Sequence, residues 1–193
     1  MKGFAVLAVI AAIVGAWLFL AYNMLISREE AVFAAWANVE STLQRRSDLI
    51  PNLVSTVKGY AQHEQETLNQ VVEARTKATQ SVSAKDLSNP AAMQQFQNSQ
   101  ATLGNALTRL VAIAENYPDL KANQNFLDLQ HQLEGTENRI NVARERYNEA
   151  VRAFNTAIRT LPGKHLNDRF LHLEAKELFK AEEGAREVPK VSF

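Results

Sequence analysis

The chain has 193 residues, and its 21 basic and 21 acidic side chains leave no formal net charge. This balance excludes the basic excess that nucleic-acid binding needs, so no nucleic-acid partner is predicted. The absence of cysteine excludes disulfides, thiolate nucleophiles and thiolate metal sites. With only seven glycines and five prolines, the composition favours long helices over sheets.

An uncharged segment runs from Gly3 to Ile26. As a helix it would extend about 36 Å, enough to cross a hydrocarbon core of about 30 Å. A cleaved signal peptide would have a shorter apolar region and a small-residue cleavage site, and a buried core helix would not be apolar on every side. We therefore predict a tail and a retained transmembrane anchor over residues 1–27. The anchor side chains expected in the bilayer are Phe4, Val14, Trp17, Phe19 and Tyr22.

The charges that flank the anchor conflict over its orientation. Lys2 favours an N-terminus in the cytoplasm, whereas Arg28, Arg45 and Arg46 add cations to the other flank. Because long domains translocate largely regardless of their charge, we expect the domain after the anchor to lie outside the cytoplasm.

The anchor is predicted to continue into the first helix of a bundle. That helix is expected to end near Arg45 and Arg46, whose charges suit the negative end of a helix dipole. A second helix would then begin with Asp48 as its cap and Pro51 in its first turn. The alternative is one kinked helix that runs through Pro51. The apolar face of the first helix is Val32, Trp36, Val39 and Leu43.

Three further helices are predicted after the break at Pro51. The second fades in a loop over 81–89, the third begins at Asn89-Pro90, and the fourth covers 119–161. Apolar residues repeat every seven positions along the fourth: Phe126, Leu133, Ile140, Tyr147 and Phe154. Long helices joined by short loops predict an all-α fold, an antiparallel up-and-down bundle of four long helices over 28–162.

The C-terminal region, 163–193, is predicted to hold a short amphipathic helix over about 167–180, followed by a tail. The helix would either cap the bundle or lie on the membrane or a partner.

The predicted helix lengths conflict. The first bundle helix, from 27 to 46, would be about 30 Å long, while the fourth, from 119 to 161, would be about 64 Å. If both began at the same end of the bundle, the fourth would reach into the lipid. Either the bundle tilts, or the anchor diverges near Ser27, or the first two helices are joined differently.

Charged residues occupy positions that should face the core of the bundle. Because a charge facing a core must be paired, we predict an interhelical network of ion pairs and hydrogen bonds that fixes the register. The alternative is a polar groove for a ligand or a partner. The residues of this seam are Arg45, Arg46, Asp48, Glu64, Arg75, Glu137, Arg144, Asn148 and Asn155.

The sequence has no motif that indicates catalysis or cofactor binding. Di-iron bundles use Glu-x-x-His on each of two helices, and the nearest match is a single Asp128-x-x-His131. The HExxH zinc motif, the GxSxG nucleophile motif and a glycine-rich phosphate loop are missing from the sequence. We therefore expect no enzyme, no metal and no cofactor.

Several motifs together resemble the LemA family. They include A-W-A-N-V at 35–39, R-R-S-D-L-I-P-N-L-V at 45–54 and V-K-G-Y-A-Q-H-E at 57–64. In the second half, Y-P-D-L-K-A at 117–122 precedes E-N-R-I at 137–140. The resemblance implies a membrane-tethered antiparallel bundle from bacteria, and it implies no catalytic residues. Some relatives carry a lipoprotein signal, which places their domain outside the cytoplasm; because this chain lacks the lipidated cysteine, we expect the helix itself to attach it.

The functional hypothesis is a non-enzymatic, membrane-anchored scaffold or adaptor of the bacterial cell envelope, held in the cytoplasmic membrane by a single span. Its partners would be the lipid bilayer, other membrane or envelope proteins and further copies of itself. Small residues in the anchor would let two anchors pack closely: Ala11, Ala12, Gly15 and Ala16. The alternative is an extracytoplasmic sensor or ligand-binding bundle that signals through a membrane partner.

Overall fold

The computed structural model describes residues 2–80 and 82–180. That part of the chain is all-α and has no strand. The helices are α1 (Lys2–Tyr60), α2 (Gln65–Ala78), α3 (Pro90–Ile113), α4 (Pro118–Lys121), α5 (Gln124–Arg159) and α6 (Gly163–Leu166), with 3-10 turns at Ala84–Ser88 and Ala114–Asn116 and a π-turn at Asn167–Leu171. The predicted fold class is confirmed: a long apolar N-terminal helix is followed by a helical bundle. The predicted C-terminal tail, 181–193, lies outside the described residues.

A single helix, α1, carries the apolar segment into the bundle. All side chains from 3 to 20 are exposed, and Ala21 and Leu25 are the first to be buried. In the described residues, α1 is the one helix long and apolar enough to cross a membrane, by length and composition. The helix passes without a break through the predicted boundary at residue 27.

The predicted helix end at Arg46 and the restart at Asp48 are wrong. The alternative is what the structure shows, because α1 continues through Pro51 as far as Tyr60. The Asp48 carboxylate caps no helix and instead accepts a hydrogen bond from Gln44 Nε2 at 2.7 Å. The chain reverses later, over 61–64, and α2 follows.

Helices α1 and α5 form a long antiparallel pair. Arg46 of α1 meets Glu137 near the middle of α5, and Tyr60, at the end of α1, meets Asn123 just before α5 begins. The stretch of α1 from 27 to 60 is about 51 Å long, and α5 is about 54 Å long. The conflict between the predicted lengths is resolved because the first two predicted helices are joined differently.

Two helix starts are set by asparagine caps. Asn89 accepts the backbone N–H groups of Ala91 and Ala92, as predicted for the start of α3. The predicted fourth helix, 119–161, is divided, because Asn123 accepts the N–H of Phe126 and begins α5 anew after the short α4. Such caps satisfy donors that a helix start leaves free.

The predicted amphipathic helix over 167–180 is wrong. The π-turn ends at Leu171, and 172–180 is not helical. The cause is local at first: the Asn167 side chain accepts the N–H of Leu173 at 2.7 Å and donates to its carbonyl at 3.0 Å, which turns the chain out of the helix. Residues 173–180, here called the strap, then run along α5 in the opposite direction.

Buried apolar side chains form two clusters, one near the apolar segment and one far from it. The near cluster takes residues 21–39 of α1 and 143–158 of α5, and the far cluster takes 50–57 of α1, Ala61 just after it and 126–133 of α5. The five heptad residues of α5 are all buried: Phe126, Leu133, Ile140, Tyr147 and Phe154.

Candidate functional site

A polar layer separates the near cluster from the far cluster. It consists of Arg46, Ser47, Arg75, Gln100 and Glu137. Arg46 Nη1 donates to Glu137 Oε2 at 3.0 Å, and its Nη2 donates to Gln100 Oε1. Gln100 Nε2 donates in turn to the carbonyl of Ala78 at 2.7 Å, at the end of α2, where carbonyls lack helical partners. One chain of hydrogen bonds therefore joins α1, α2, α3 and α5.

In the ion pair of this layer, the arginine is buried and the glutamate is partly exposed. The Arg46 side chain is 4% exposed and that of Glu137 is 47% exposed. Burial lowers the pKa of the Arg46 guanidinium, and the Glu137 carboxylate opposes that change. Both Nη atoms of Arg46 therefore bind side chains of other helices, Glu137 on α5 and Gln100 on α3.

The second part of the layer explains how α1 passes through Pro51. Proline has no N–H, so the carbonyl of Ser47, four residues earlier, loses its helical donor. Arg75 Nε donates to that carbonyl at 2.9 Å and to Ser47 Oγ at 3.1 Å. Ser47 is 5% exposed, so water has little access to this carbonyl. Arg75 on α2 therefore replaces the donor that Pro51 lacks.

Two asparagines on α5 hold the backbone of the strap. Asn155 donates to the carbonyl of Lys176 and accepts its N–H, both at 2.9 Å. Asn148 donates to the carbonyl of Phe179 at 3.1 Å and accepts its N–H at 2.9 Å. Seven residues of helix span about 10.5 Å and three extended residues span about 10 Å. The heptad spacing of the asparagines therefore matches every third residue of the strap.

The strap also places an aromatic and a charged side chain in the near cluster. The Phe179 ring lies 6.0 Å from Trp36 and 5.4 Å from Tyr147, between ring centroids. Lys176 Nζ lies 3.1 Å from Glu29 Oε1, with side chains 9% and 15% exposed. The Tyr147 hydroxyl, whose pKa is raised by burial, donates to the strap carbonyl of Glu177 at 2.9 Å.

The predicted polar residues do not form one seam. Arg46, Arg75 and Glu137 come together in the polar layer, while Asn148 and Asn155 bind the strap. All five residues make hydrogen bonds to other elements of the same chain.

The other four predicted residues lie elsewhere. Arg144 is not paired with Glu137; its guanidinium carbon lies 5.2 Å from the centroid of the Phe179 ring. Glu64 accepts a hydrogen bond from the Tyr117 hydroxyl at 3.3 Å, at the far end of the bundle. Burial, and then the charge of Glu64, raise the pKa of Tyr117. Arg45 and Asp48 are exposed.

The predicted anchor side chains all lie on the free part of α1. Phe4, Val14, Trp17, Phe19 and Tyr22 are between 44% and 81% exposed. All five are therefore available to the surroundings of the bundle.

Sequence reasoning missed Gln100 and the two strap residues, Lys176 and Phe179. A sequence signal for Gln100 was present, because it stands between Phe96 and Leu103 at core spacing on α3. In the structure its side chain is 3% exposed. No comparable signal marked the strap, since its partners are distant in sequence and lie on α1, α3, α5 and the 3-10 turn at Ala84–Ser88.

Two grooves flank the polar layer, one on each side of α3. The first has a volume of about 340 Å³ and is bordered by Ser47 and Gln100. The second has about 430 Å³ and is bordered by Arg46, Gly104 and Glu137. Within the described ranges, no group of three or more His, Asp or Glu side chains is placed to hold a metal ion.

The fold and the polar layer define a helical bundle built onto one long apolar N-terminal helix, which fits a membrane-associated protein. The family model described as LemA family matches residues 35–193. The chain therefore belongs to the LemA family, as the motifs predicted.

Curated relatives support this placement. Magnetosome protein MamQ 2 of Paramagnetospirillum magneticum (strain ATCC 700264 / AMB-1) is 27% identical over 180 residues, which is 83% of this chain and 65% of the relative. Magnetosome protein MamQ of Magnetospirillum gryphiswaldense (strain DSM 6361 / JCM 21280 / NBRC 15271 / MSR-1) is 26% identical over 166 residues, which is 77% of this chain and 61% of the relative. The chain thus spans less than two thirds of the length of these relatives.

Proposed function

We propose that the chain is a non-enzymatic scaffold or adaptor, anchored by a single span in a bacterial cytoplasmic membrane, with its bundle outside the cytoplasm. Its partners are other envelope proteins or further copies of itself. The observation that carries the proposal is the continuity of α1 from Lys2 to Tyr60. A continuous helix fixes the bundle to the apolar segment without a linker that would let the two move independently.

The polar layer supports a structural role for the bundle. The hydrogen-bonding groups of Arg46, Gln100 and Arg75 described above are directed at other helices of the same chain. Catalysis needs groups poised to act on a substrate, and these groups are already engaged. A fixed register gives the outer surface a constant shape, which suits the binding of proteins.

Site-specific crosslinking in living cells tests the proposal. A photocrosslinking residue replaces Val142 on α5 or Val72 on α2, which are 45% and 48% exposed. We expect discrete adducts from at least one of these faces, with partners identified by mass spectrometry. Single cysteines at the same positions, in a chain that has no other, should react with an impermeant maleimide in intact cells. If crosslinking yields only monomers at both positions, the proposal of a scaffold is wrong. If the cysteines react with the maleimide only after lysis, the proposed orientation is wrong.

Ligand binding is the second candidate, favoured by the groove of about 340 Å³ beside Gln100 and Ser47. Its volume is in the range of small-molecule sites. Crosslinking that yields only monomers, together with a compound that raises the melting temperature, would favour this function over the scaffold.

A further inference from the structure

Two side chains of the bundle are far more exposed than its other large apolar residues. Leu161 is 77% exposed and Phe170 is 70% exposed. Beyond the apolar segment, the other exposed large hydrophobic side chains of the described chain are Tyr60, Val72 and Val142, at 44% to 48%. Leu161 follows the end of α5, and Phe170 lies in the π-turn. Residues 159–171, here called the foot, therefore carry the bundle's most exposed apolar groups.

The foot lies beside the point where α1 leaves the bundle. Leu166 of the foot packs in the same cluster as Ala21 and Leu25, the first buried residues of α1. A Cβ added to Gly163 would lie 3.0 Å from Leu25 Cδ2, so the backbone of the foot touches α1 at this level. The apolar segment that precedes Ala21 is exposed throughout. Within the described residues, the foot thus lies next to the apolar segment and to whatever surrounds it.

The exposed charges of the foot are mainly positive. Arg159, Lys164 and Arg169 are exposed cations, and Asp168 is the single carboxylate of 159–171, so three minus one leaves a net charge of +2. Lys164 Nζ pairs with Asp168 Oδ2 at 2.6 Å. Apolar side chains surrounded by cations are the composition of surfaces that enter the headgroup region of anionic bilayers.

We propose that the foot rests in the interfacial layer of the bilayer, with Leu161 and Phe170 inserted and Arg159 and Arg169 placed at the lipid phosphates. This inference rests on the proposed membrane anchor. A second attachment beside the span would fix the tilt of the bundle, because a single helix leaves the bundle free to lean. The strap begins directly after the foot, so the attachment is coupled to the near cluster through Asn167 and the strap backbone.

Single-cysteine labelling tests the foot, since the chain has no native cysteine. Leu161→Cys and Phe170→Cys are labelled with the fluorophore NBD in the purified full chain, reconstituted into vesicles of phosphatidylcholine and phosphatidylglycerol. Leu18→Cys, in the apolar segment, is the lipid control, and Val72→Cys, on α2, is the water control. Quenching is measured with lipids that carry a nitroxide just below the headgroup. We expect at least half of the Leu18 quenching at 161 and 170, and almost none at 72.

The outcomes separate the foot from the anchor. If position 18 is quenched while positions 161 and 170 behave like position 72, the proposed insertion of the foot is wrong and the proposed membrane anchor is retained. If position 18 is not quenched either, the proposed anchor fails and the foot fails with it. Blue-shifted but unquenched NBD at 161 and 170 would place these residues against protein, such as a second copy, and would also overturn the foot. Circular dichroism of each labelled variant verifies that the helices are intact.

Discussion

Arg75 is expected to contribute more to stability while residue 51 is proline than after Pro51 is replaced by alanine. Arg75→Met removes the donor to the Ser47 carbonyl, which lies 2.9 Å from Nε and belongs to a residue 5% exposed. A hydrogen bond from a charged group contributes about 1.5–3 kcal/mol, and a buried unpaired carbonyl costs about 1–3 kcal/mol. The two figures are alternative estimates for the loss of the same hydrogen bond and are not added together. We therefore expect Arg75→Met to lower the free energy of unfolding by about 2–3 kcal/mol.

A double-mutant cycle separates this role from general packing. Pro51→Ala restores an N–H four residues after Ser47, so the helix can satisfy the carbonyl without Arg75. Arg75→Met should therefore cost about 1–2 kcal/mol less in the Pro51→Ala background than in the native chain. The measurement is denaturant unfolding of the full chain in detergent micelles, followed by circular dichroism at a helix wavelength.

A neighbouring cation serves as the control for this cycle. Lys77 lies on the same helix and pairs with Glu73 at the surface, with side chains 63% and 68% exposed. Lys77→Met should be nearly neutral and should show no coupling to Pro51→Ala. Equal losses from Arg75→Met in both backgrounds would refute the replacement of the missing donor and leave Arg75 as an ordinary packing residue.

Two further changes test the strap and the foot. Asn155→Ala removes both hydrogen bonds to the Lys176 backbone, which contribute about 1 kcal/mol each. The strap amides should therefore exchange hydrogen about tenfold to thirtyfold faster, as measured by mass spectrometry. Asn125→Ala, exposed at the other end of α5, controls for helix propensity, and equal exchange in the two variants would contradict the strap contacts. Gly163→Ala should lower the melting temperature, because its Cβ would lie 2.1 Å from the Ala157 carbonyl oxygen. The control is Gly104→Ala, whose Cβ would have nothing within 4 Å and which should raise the melting temperature slightly. A higher melting temperature for Gly163→Ala than for Gly104→Ala would show that the foot has room to move.

The helical core was predictable because its signal is local. The seven-residue repeat from Phe126 to Phe154 is a property of one helix, and every member is buried. The Asn89-Pro90 start of α3 is also local, since the cap and its N–H partners are within three residues. Helix class and buried faces follow from such patterns without knowledge of the partner helices.

The end of the first helix was mispredicted because its stabilising partner is distant. Asp48 and Pro51 have the local signature of a helix start, and in isolation the unpaired Ser47 carbonyl would favour a break. The donor that removes this preference is Arg75, 28 positions along the chain. No local pattern around Pro51 contains that information.

The strap was mispredicted for a related reason, since its apolar spacing around Phe179 resembles an amphipathic helix. An isolated segment would form a helix to satisfy its own backbone groups. Here Asn148 and Asn155 satisfy several of those groups from α5, at distances of 2.9–3.1 Å. The extended form then frees Phe179 to reach Trp36 and Tyr147 in the near cluster.

Both departures have one physical cause, because side chains from another helix supply backbone hydrogen bonds that secondary structure normally supplies. Arg75 does so for α1 at Ser47, and the asparagines of α5 do so for the strap. The Arg75 contact holds α2 against α1 at the polar layer. The asparagine contacts hold the strap against α5, beside the apolar segment. A bundle held to α1 and α5 at these two levels keeps its outer surface in a constant position relative to α1, which is the property that the proposed scaffold needs.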